Sequence, residues 1–139
     1  MVAATDTSGD TIGCRKYHTT LATTMGTVPH CWHAGPYGYD GCGSICDSFC
    51  KITLGYCSAA GGFTGTPPYA TVADCMTECN TLVATAKAAG AAGDYNSAGT
   101  GDTGNTIECR LYHLQNALKN PANQTTHCPH TGVTSAACH

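Results

Sequence analysis

Large apolar side chains are scarce in this sequence. Val, Ile, Leu and Phe together make up 17 of its 139 residues, which is too few for an ordinary hydrophobic core. The net charge is only −3, so the charge repulsion that keeps many such chains disordered is lacking as well. The 11 cysteines are the expected source of cohesion, as disulfide bonds. The composition therefore predicts a disulfide-rich protein of the periplasm, the cell surface or the extracellular space.

Two further shortages exclude classes of function. With only 6 Lys and Arg residues, the chain has no basic stripe for phosphate groups, so no nucleic-acid partner is expected. No apolar run approaches the roughly 18 residues that a membrane span requires, so no span is expected. Motifs of hydrolases and phosphate-binding enzymes are missing too. We therefore predict a protein that is not an enzyme.

What the sequence does contain is an internal repeat of about 96 residues. The segment Cys14-Arg15-Lys16-Tyr17-His18 returns as Cys109-Arg110-Leu111-Tyr112-His113. Likewise, His30-Cys31-Trp32-His33 returns as His127-Cys128-Pro129-His130, and Cys42 corresponds to Cys138. Six of the 7 histidines stand at repeated positions, and only His139 does not. The repeat predicts two similar Cys/His modules.

A different segment lies between the two copies. Cys46, Cys50 and Cys57 share one face of a predicted helix that Ser44 could cap. A second predicted helix begins near Thr71, carries Cys75 and Cys79 and ends at about residue 89. Packed antiparallel, the two helices would place Cys46 near Cys79 and Cys50 near Cys75.

These patterns divide the chain into four parts. We predict a first Cys/His module at 1–43, a disulfide-stapled helical hairpin at 44–89, a linker at 90–104 and a second half-module at 105–139. The expected fold class is mainly α with long loops, in a small disulfide-rich protein.

The Cys-to-His spacing of each module resembles the haem attachment motif of c-type cytochromes, in a variant with a single cysteine. The resemblance implies that Cys14 and Cys109 attach two haem c groups and that His18 and His113 bind the iron. A second axial ligand would come from His30 or His33 and from His127 or His130. Cys31 and Cys128 could supply a second linkage. Arg15 and Arg110, the only arginines, could bind haem propionates.

The function predicted from this resemblance is electron transfer by a secreted dihaem protein. Iron held by two histidines has no open position for a substrate, so the expected partners are redox proteins or an extracellular electron acceptor. Two alternatives remain open. The same Cys/His sets could bind copper or zinc, with copper favoured in an oxidising compartment. The chain could also be a cofactor-free structural repeat in which Cys14 pairs with Cys31 and Cys109 with Cys128.

The overall pattern also resembles Cys/His-rich repeats of secreted bacterial proteins, a resemblance that implies export but no particular activity. Because 11 cysteines cannot all pair within one chain, one sulfur is left over. We predict that it belongs to Cys57 or Cys138. An unpaired Cys138 would allow head-to-tail docking into a homo-oligomer or a filament.

Overall fold

The computed structural model describes residues 6–88 and 101–139, and all regular secondary structure in these two ranges is helical. The α-helices are α1 (Ile12–Met25), α2 (His30–Ala34), α3 (Ile45–Tyr56), α4 (Val72–Ala88), α5 (Ile107–Lys119) and α6 (Gln124–His127). Short 3-10 helices lie at Gly38–Asp40, Ala59–Gly61, Pro121–Asn123 and Cys128–Thr131. Together with the disulfides, this confirms the predicted fold class.

Hydroxyl side chains fix where the longer helices begin. Thr11 and Thr106 cap α1 and α5, and each hydroxyl accepts a hydrogen bond from the backbone N–H three residues later, at 3.0 and 3.1 Å. Ser44 and Thr71 cap α3 and α4 in the same way, as the sequence predicted. The predicted end of the second hairpin helix at residue 89 and most of the predicted linker lie outside the described residues.

The chain is divided into two compact units, and the boundary between them falls inside α3. The described part of the first unit is 6–48, in which α1 packs against α2. The described part of the second unit is 49–88 and 101–139, in which α5 packs against α4, α6 and the 3-10 helices at Pro121–Asn123 and Cys128–Thr131. Each unit therefore contains one complete set of the repeated histidines.

Disulfide-bonded cysteines form much of the buried interior. Ten cysteines are disulfide-bonded, and each of them is at most 2% exposed. In both units they pack beside a small number of aromatic and aliphatic side chains, such as Tyr37 in the first unit and Phe49 and Leu114 in the second. The bonded sulfurs thus occupy the volume that aliphatic side chains fill in an ordinary core.

The pairing confirms one predicted disulfide. Cys50 is bonded to Cys75, because a cysteine one turn into α3 faces a cysteine in the first turn of α4. Cys46 and Cys79 are each disulfide-bonded as well.

The pairing within the modules differs from the sequence-based alternative. Cys14 is bonded to Cys42 and Cys109 to Cys138, so the predicted pairs of Cys14 with Cys31 and of Cys109 with Cys128 are wrong. Each observed bond ties the first turn of the module's long helix to the end of the same module.

The prediction for the unpaired cysteine is also wrong. Cys57 is bonded to Cys128 across 71 residues, and Cys138 is paired within its own module. The free cysteine is Cys31, which is exposed on α2. The predicted head-to-tail assembly through an unpaired Cys138 therefore loses its premise.

Candidate metal centre

Each module brings its three repeated histidines together. The first site, formed by His18, His30 and His33, uses one residue of α1 and two of α2. The second site, formed by His113, His127 and His130, uses one residue each of α5, of α6 and of the 3-10 helix that follows. Because the threonine caps start α1 and α5 at matching positions, His18 and His113 lie at the same place in their modules.

Three imidazole rings converge through their Nδ1 atoms in the first site. The Nδ1 atom of His18 lies 3.0 Å from that of His30 and 3.4 Å from that of His33. His18 is buried, whereas the other two rings are partly exposed. The site thus consists of nitrogen donors from one buried ring and two rings that solvent can reach.

The second site repeats this arrangement closely. The Nδ1 atom of His113 lies 2.9 Å from that of His127 and 3.4 Å from that of His130. His113 is buried at 6% exposure, and the other two rings are again partly exposed. The same donor geometry occurs in two modules that differ in many other residues.

The longer distances, 3.4 Å in each site, match those between ligands of a tetrahedral metal ion, whereas the shorter ones, 2.9 and 3.0 Å, match ligands at right angles or a hydrogen bond between two rings. With metal–nitrogen bonds of about 2.0–2.1 Å, two tetrahedral ligands lie about 3.3 Å apart. In both sites, the ligand nitrogens lie within 4.8 Å of one another. Three imidazoles supply three positions of such an ion and leave the fourth for water or another ligand.

A backbone contact fixes the protonation of one ring. The Nε2 atom of His113 lies 3.1 Å from the carbonyl oxygen of Asp102, and a carbonyl can only accept a hydrogen bond. The Nε2 atom therefore carries the proton, and the neutral ring presents an Nδ1 lone pair to the centre of the site. Histidines that bind metals are typically oriented by such a hydrogen bond.

The surroundings favour the neutral form of three of these rings. Burial, followed by the neighbouring His18 and His30 imidazoles, lowers the pKa of His33. Burial also lowers the pKa of His113, with the hydrogen bond to the Asp102 backbone acting in the opposite direction, and it lowers the pKa of His127; the imidazole of His130 lowers both further. Because a metal ion binds only the neutral imidazole, these shifts extend the pH range in which the sites can take up metal.

The residues that the sequence proposed for haem have other roles in this structure. The sulfur atoms of Cys14 and Cys109 form disulfides and are therefore not available as thiols for thioether bonds to haem. The axial ligands of iron lie on opposite sides of the metal, about 4 Å apart for bonds of about 2 Å. The Nδ1 distances of 2.9–3.4 Å are shorter than this.

The two arginines bind protein groups. Arg110 is 1% exposed, and its guanidinium lies 2.5 Å from Glu78 on α4. Arg15 forms an ion pair with Asp10 at 2.5 Å and donates hydrogen bonds to the carbonyl oxygens of Gly35 and Cys42. Arg15 therefore connects parts of its own module, and Arg110 connects the second module to α4.

Cys31 and Cys128 lie between the histidines in sequence, but neither sulfur belongs to a group of possible ligand atoms in the described part of the chain. Sequence reasoning named all six histidines and missed two features that position them. One is the threonine caps, which could have been recognised because Thr11 and Thr106 are themselves repeated. The other is the contact with the Asp102 carbonyl, which no local pattern indicates.

Among residues 6–88 and 101–139, no helix combines the length and the apolar character that a membrane crossing needs. Comparison with models of known protein families, with characterised proteins and with solved structures gives no match for this chain. The geometry of the two sites is therefore the observation from which a function can be inferred.

Proposed function

We propose that this protein binds two transition-metal ions, one at each three-histidine site. The observation that supports the proposal is the convergence of three Nδ1 atoms at metal-ligand spacing, repeated in both modules. Three converging nitrogen donors are also the set that a metal ion with one open position takes from a protein.

Copper is the metal that we propose. Imidazole suits copper, zinc, nickel and iron, and copper binds such nitrogen donors most tightly among the divalent ions of the first row. The ten disulfide-bonded cysteines support an oxidising compartment such as the periplasm or the extracellular space. Ten of the 11 cysteine thiols, which would compete for the metal in a reduced protein, form disulfides, and Cys31 remains a thiol. Zinc is the second candidate, since its tetrahedral geometry also fits the longer distances.

Metal titration of the disulfide-intact protein tests the proposal. After removal of metal by a chelator, we expect calorimetric titration with copper(II), and separately with zinc(II), to give two ions per chain. His18→Ala and His113→Ala should each bind one ion, and the double variant should bind none. Metal content after gel filtration provides an independent count.

His139 provides the matched control. It is exposed and outside both sites, so His139→Ala should still bind two ions. Circular dichroism shows whether each variant keeps its helices. Binding of two ions by the His18/His113 double variant would contradict the proposal, as would the failure of the folded wild-type protein to bind either metal. A Soret absorption band in natively purified protein would indicate haem instead.

A further inference from the structure

The second module is covered on one face by the hairpin, meaning α3, α4 and the turn between them. The Cys57–Cys128 disulfide joins the end of α3 to this face. The side-chain amide of Gln124 donates hydrogen bonds to the carbonyl oxygens of Tyr56 and Gly61, at 3.0 and 2.9 Å. Gln124 and Cys128 are buried as a result.

The turn of the hairpin covers the rest of this face. The hydroxyl of Tyr69 donates a hydrogen bond of 2.8 Å to the carbonyl oxygen of Thr131, which is fully buried. Gly132 lies so close to the hairpin that a Cβ atom there would stand 2.6 Å from the carbonyl oxygen of Pro68. Only glycine, which has no Cβ atom, fits this contact.

In the described part of the chain, the first module presents the corresponding face without such a cover. At the positions that correspond to Gln124 and Cys128, Thr27 and Cys31 are exposed, and Ala34 and Gly35, which correspond to Thr131 and Gly132, are partly exposed. A Cβ atom on Gly35 would approach only the backbone of its own module, the Trp32 carbonyl oxygen at 3.2 Å being the nearest atom. Thus the first module keeps both the cysteine and the glycine that the hairpin contact uses in the second.

We propose that the face formed by Thr27, Cys31, Ala34 and Gly35 is a docking site for a further helical hairpin of the α3–α4 type, and that Cys31 forms a disulfide with the cysteine at the end of that hairpin's first helix. The second module defines the partner: a hairpin with a cysteine equivalent to Cys57 and a turn that contacts glycine. The hydroxyl of Thr27 can donate only one hydrogen bond, so it would reach one carbonyl oxygen of the partner, equivalent to that of Tyr56 or of Gly61.

A second copy of this chain does not satisfy the requirement. Each chain contains two modules and one hairpin, and the Cys57 of that hairpin is already bonded to Cys128. If a hairpin moved from the second module of one copy to the first module of another, the second module that it left would lose its own cover. The partner must therefore bring an additional hairpin with an unpaired cysteine.

The covalent step is a thiol–disulfide exchange. The thiolate of Cys31 attacks the sulfur of the partner cysteine, which is held in a mixed disulfide with a small thiol such as glutathione. A new sulfur–sulfur bond forms, the bond to the small thiol breaks, and the small thiol leaves with the proton that Cys31 gave up. The oxidant is the small-molecule disulfide that formed the mixed disulfide, and it is reduced to two thiols overall.

An extended version of the full chain tests the inference. Residues 44–104 are placed before residue 10, in place of residues 1–9, so that a second hairpin precedes the first module as the native one precedes the second. This reproduces nearly the 71-residue separation of Cys57 and Cys128. The native chain should contain one titratable thiol, at Cys31, and the extended chain none after refolding in a glutathione redox buffer.

Peptide mapping by mass spectrometry should show the added copy of Cys57 bonded to Cys31. Cys31→Ser in the extended chain is the matched control and should leave one thiol, on the added hairpin. A second measurement covers the non-covalent contact: hydrogen exchange of residues 27–35 should be slower in the extended chain even with both cysteines replaced by serine. Two free thiols, a disulfide to another cysteine, or unchanged exchange in residues 27–35 would each overturn the inference.

Discussion

His113 and His18 hold equivalent places but differ in one contact. The carbonyl oxygen of Asp102 orients the ring of His113, and within the described residues no group gives the Nε2 atom of His18 a similar partner. Loss of such an orienting contact typically lowers the metal affinity of a site by about 10- to 100-fold.

We therefore expect the second site to fill before the first. Titration of the metal-free protein should show two steps, the tighter one about tenfold or more stronger than the weaker one. His113→Ala should remove the tighter step and His18→Ala the weaker one, as measured by calorimetry with copper(II). Two steps of equal affinity, or the reverse assignment, would show that the Asp102 contact does not govern the order.

A buried ion pair joins α4 to α5. Arg110 is almost fully buried opposite Glu78, whose side chain is 16% exposed. At the equivalent position of the first module, Arg15 is 23% exposed and its partner Asp10 is 55% exposed. The repeat thus offers the same residue in two different environments.

Replacement of each arginine by methionine should lower the free energy of unfolding by different amounts. Arg110→Met leaves the Glu78 carboxylate unpaired and should lower the free energy of unfolding by about 3–5 kcal/mol. Arg15→Met should cost less, because water screens its exposed partner. Urea unfolding followed by circular dichroism measures both. The double variant Arg110→Met/Glu78→Gln should recover part of the loss, and equal losses for the two single variants would contradict the argument.

Local sequence patterns were sufficient to predict several elements. The capping hydroxyls of Ser44 and Thr71 stand next to helical periodicity, so both hairpin helices could be placed, and the Cys50–Cys75 bond followed from their antiparallel packing. The repeat identified all six histidines of the two sites, because duplicated positions stand out without any structural information.

Other features depend on how distant segments meet. Cys57 and Cys128 are 71 residues apart, and no local rule indicates which cysteines meet across such a distance. In the first site, the convergence of the three Nδ1 atoms depends on the path of residues 26–29 between α1 and α2. The spacing of the histidines in the sequence does not predict this path. The Cys-to-His spacing of one helical turn occurs both in a haem attachment motif and in a helix that places a histidine beside a disulfide, so spacing alone does not distinguish the two.

At the scale of the whole molecule, the lowered histidine pKa values link stability to pH. The folded protein disfavours protonation of His33, His113 and His127, whereas in the unfolded chain these groups take up protons near pH 6.5. Acid therefore favours the unfolded state, and the stabilising contribution of the neutral rings is lost as the pH falls below that value.

We expect the melting temperature of the metal-free protein to fall between about pH 7 and pH 5. The decrease should be smaller in the triple variant with glutamine at positions 33, 113 and 127, and unchanged in His139→Ala. Thermal unfolding followed by circular dichroism at a series of pH values gives the comparison. A melting temperature that rises on acidification would contradict the sign of the effect.

The bond between Cys57 and Cys128 has a topological consequence. Together with the backbone from 57 to 128 it closes a ring, and residues 89–100 lie within that ring. A protease that cut the backbone once in this stretch would open the ring without releasing a fragment. The nicked protein should migrate as one species on a non-reducing gel and as two after reduction. In an environment rich in proteases, the integrity of this molecule would then depend on the redox potential of its surroundings, and a single cleavage would leave both histidine sites on one covalent body.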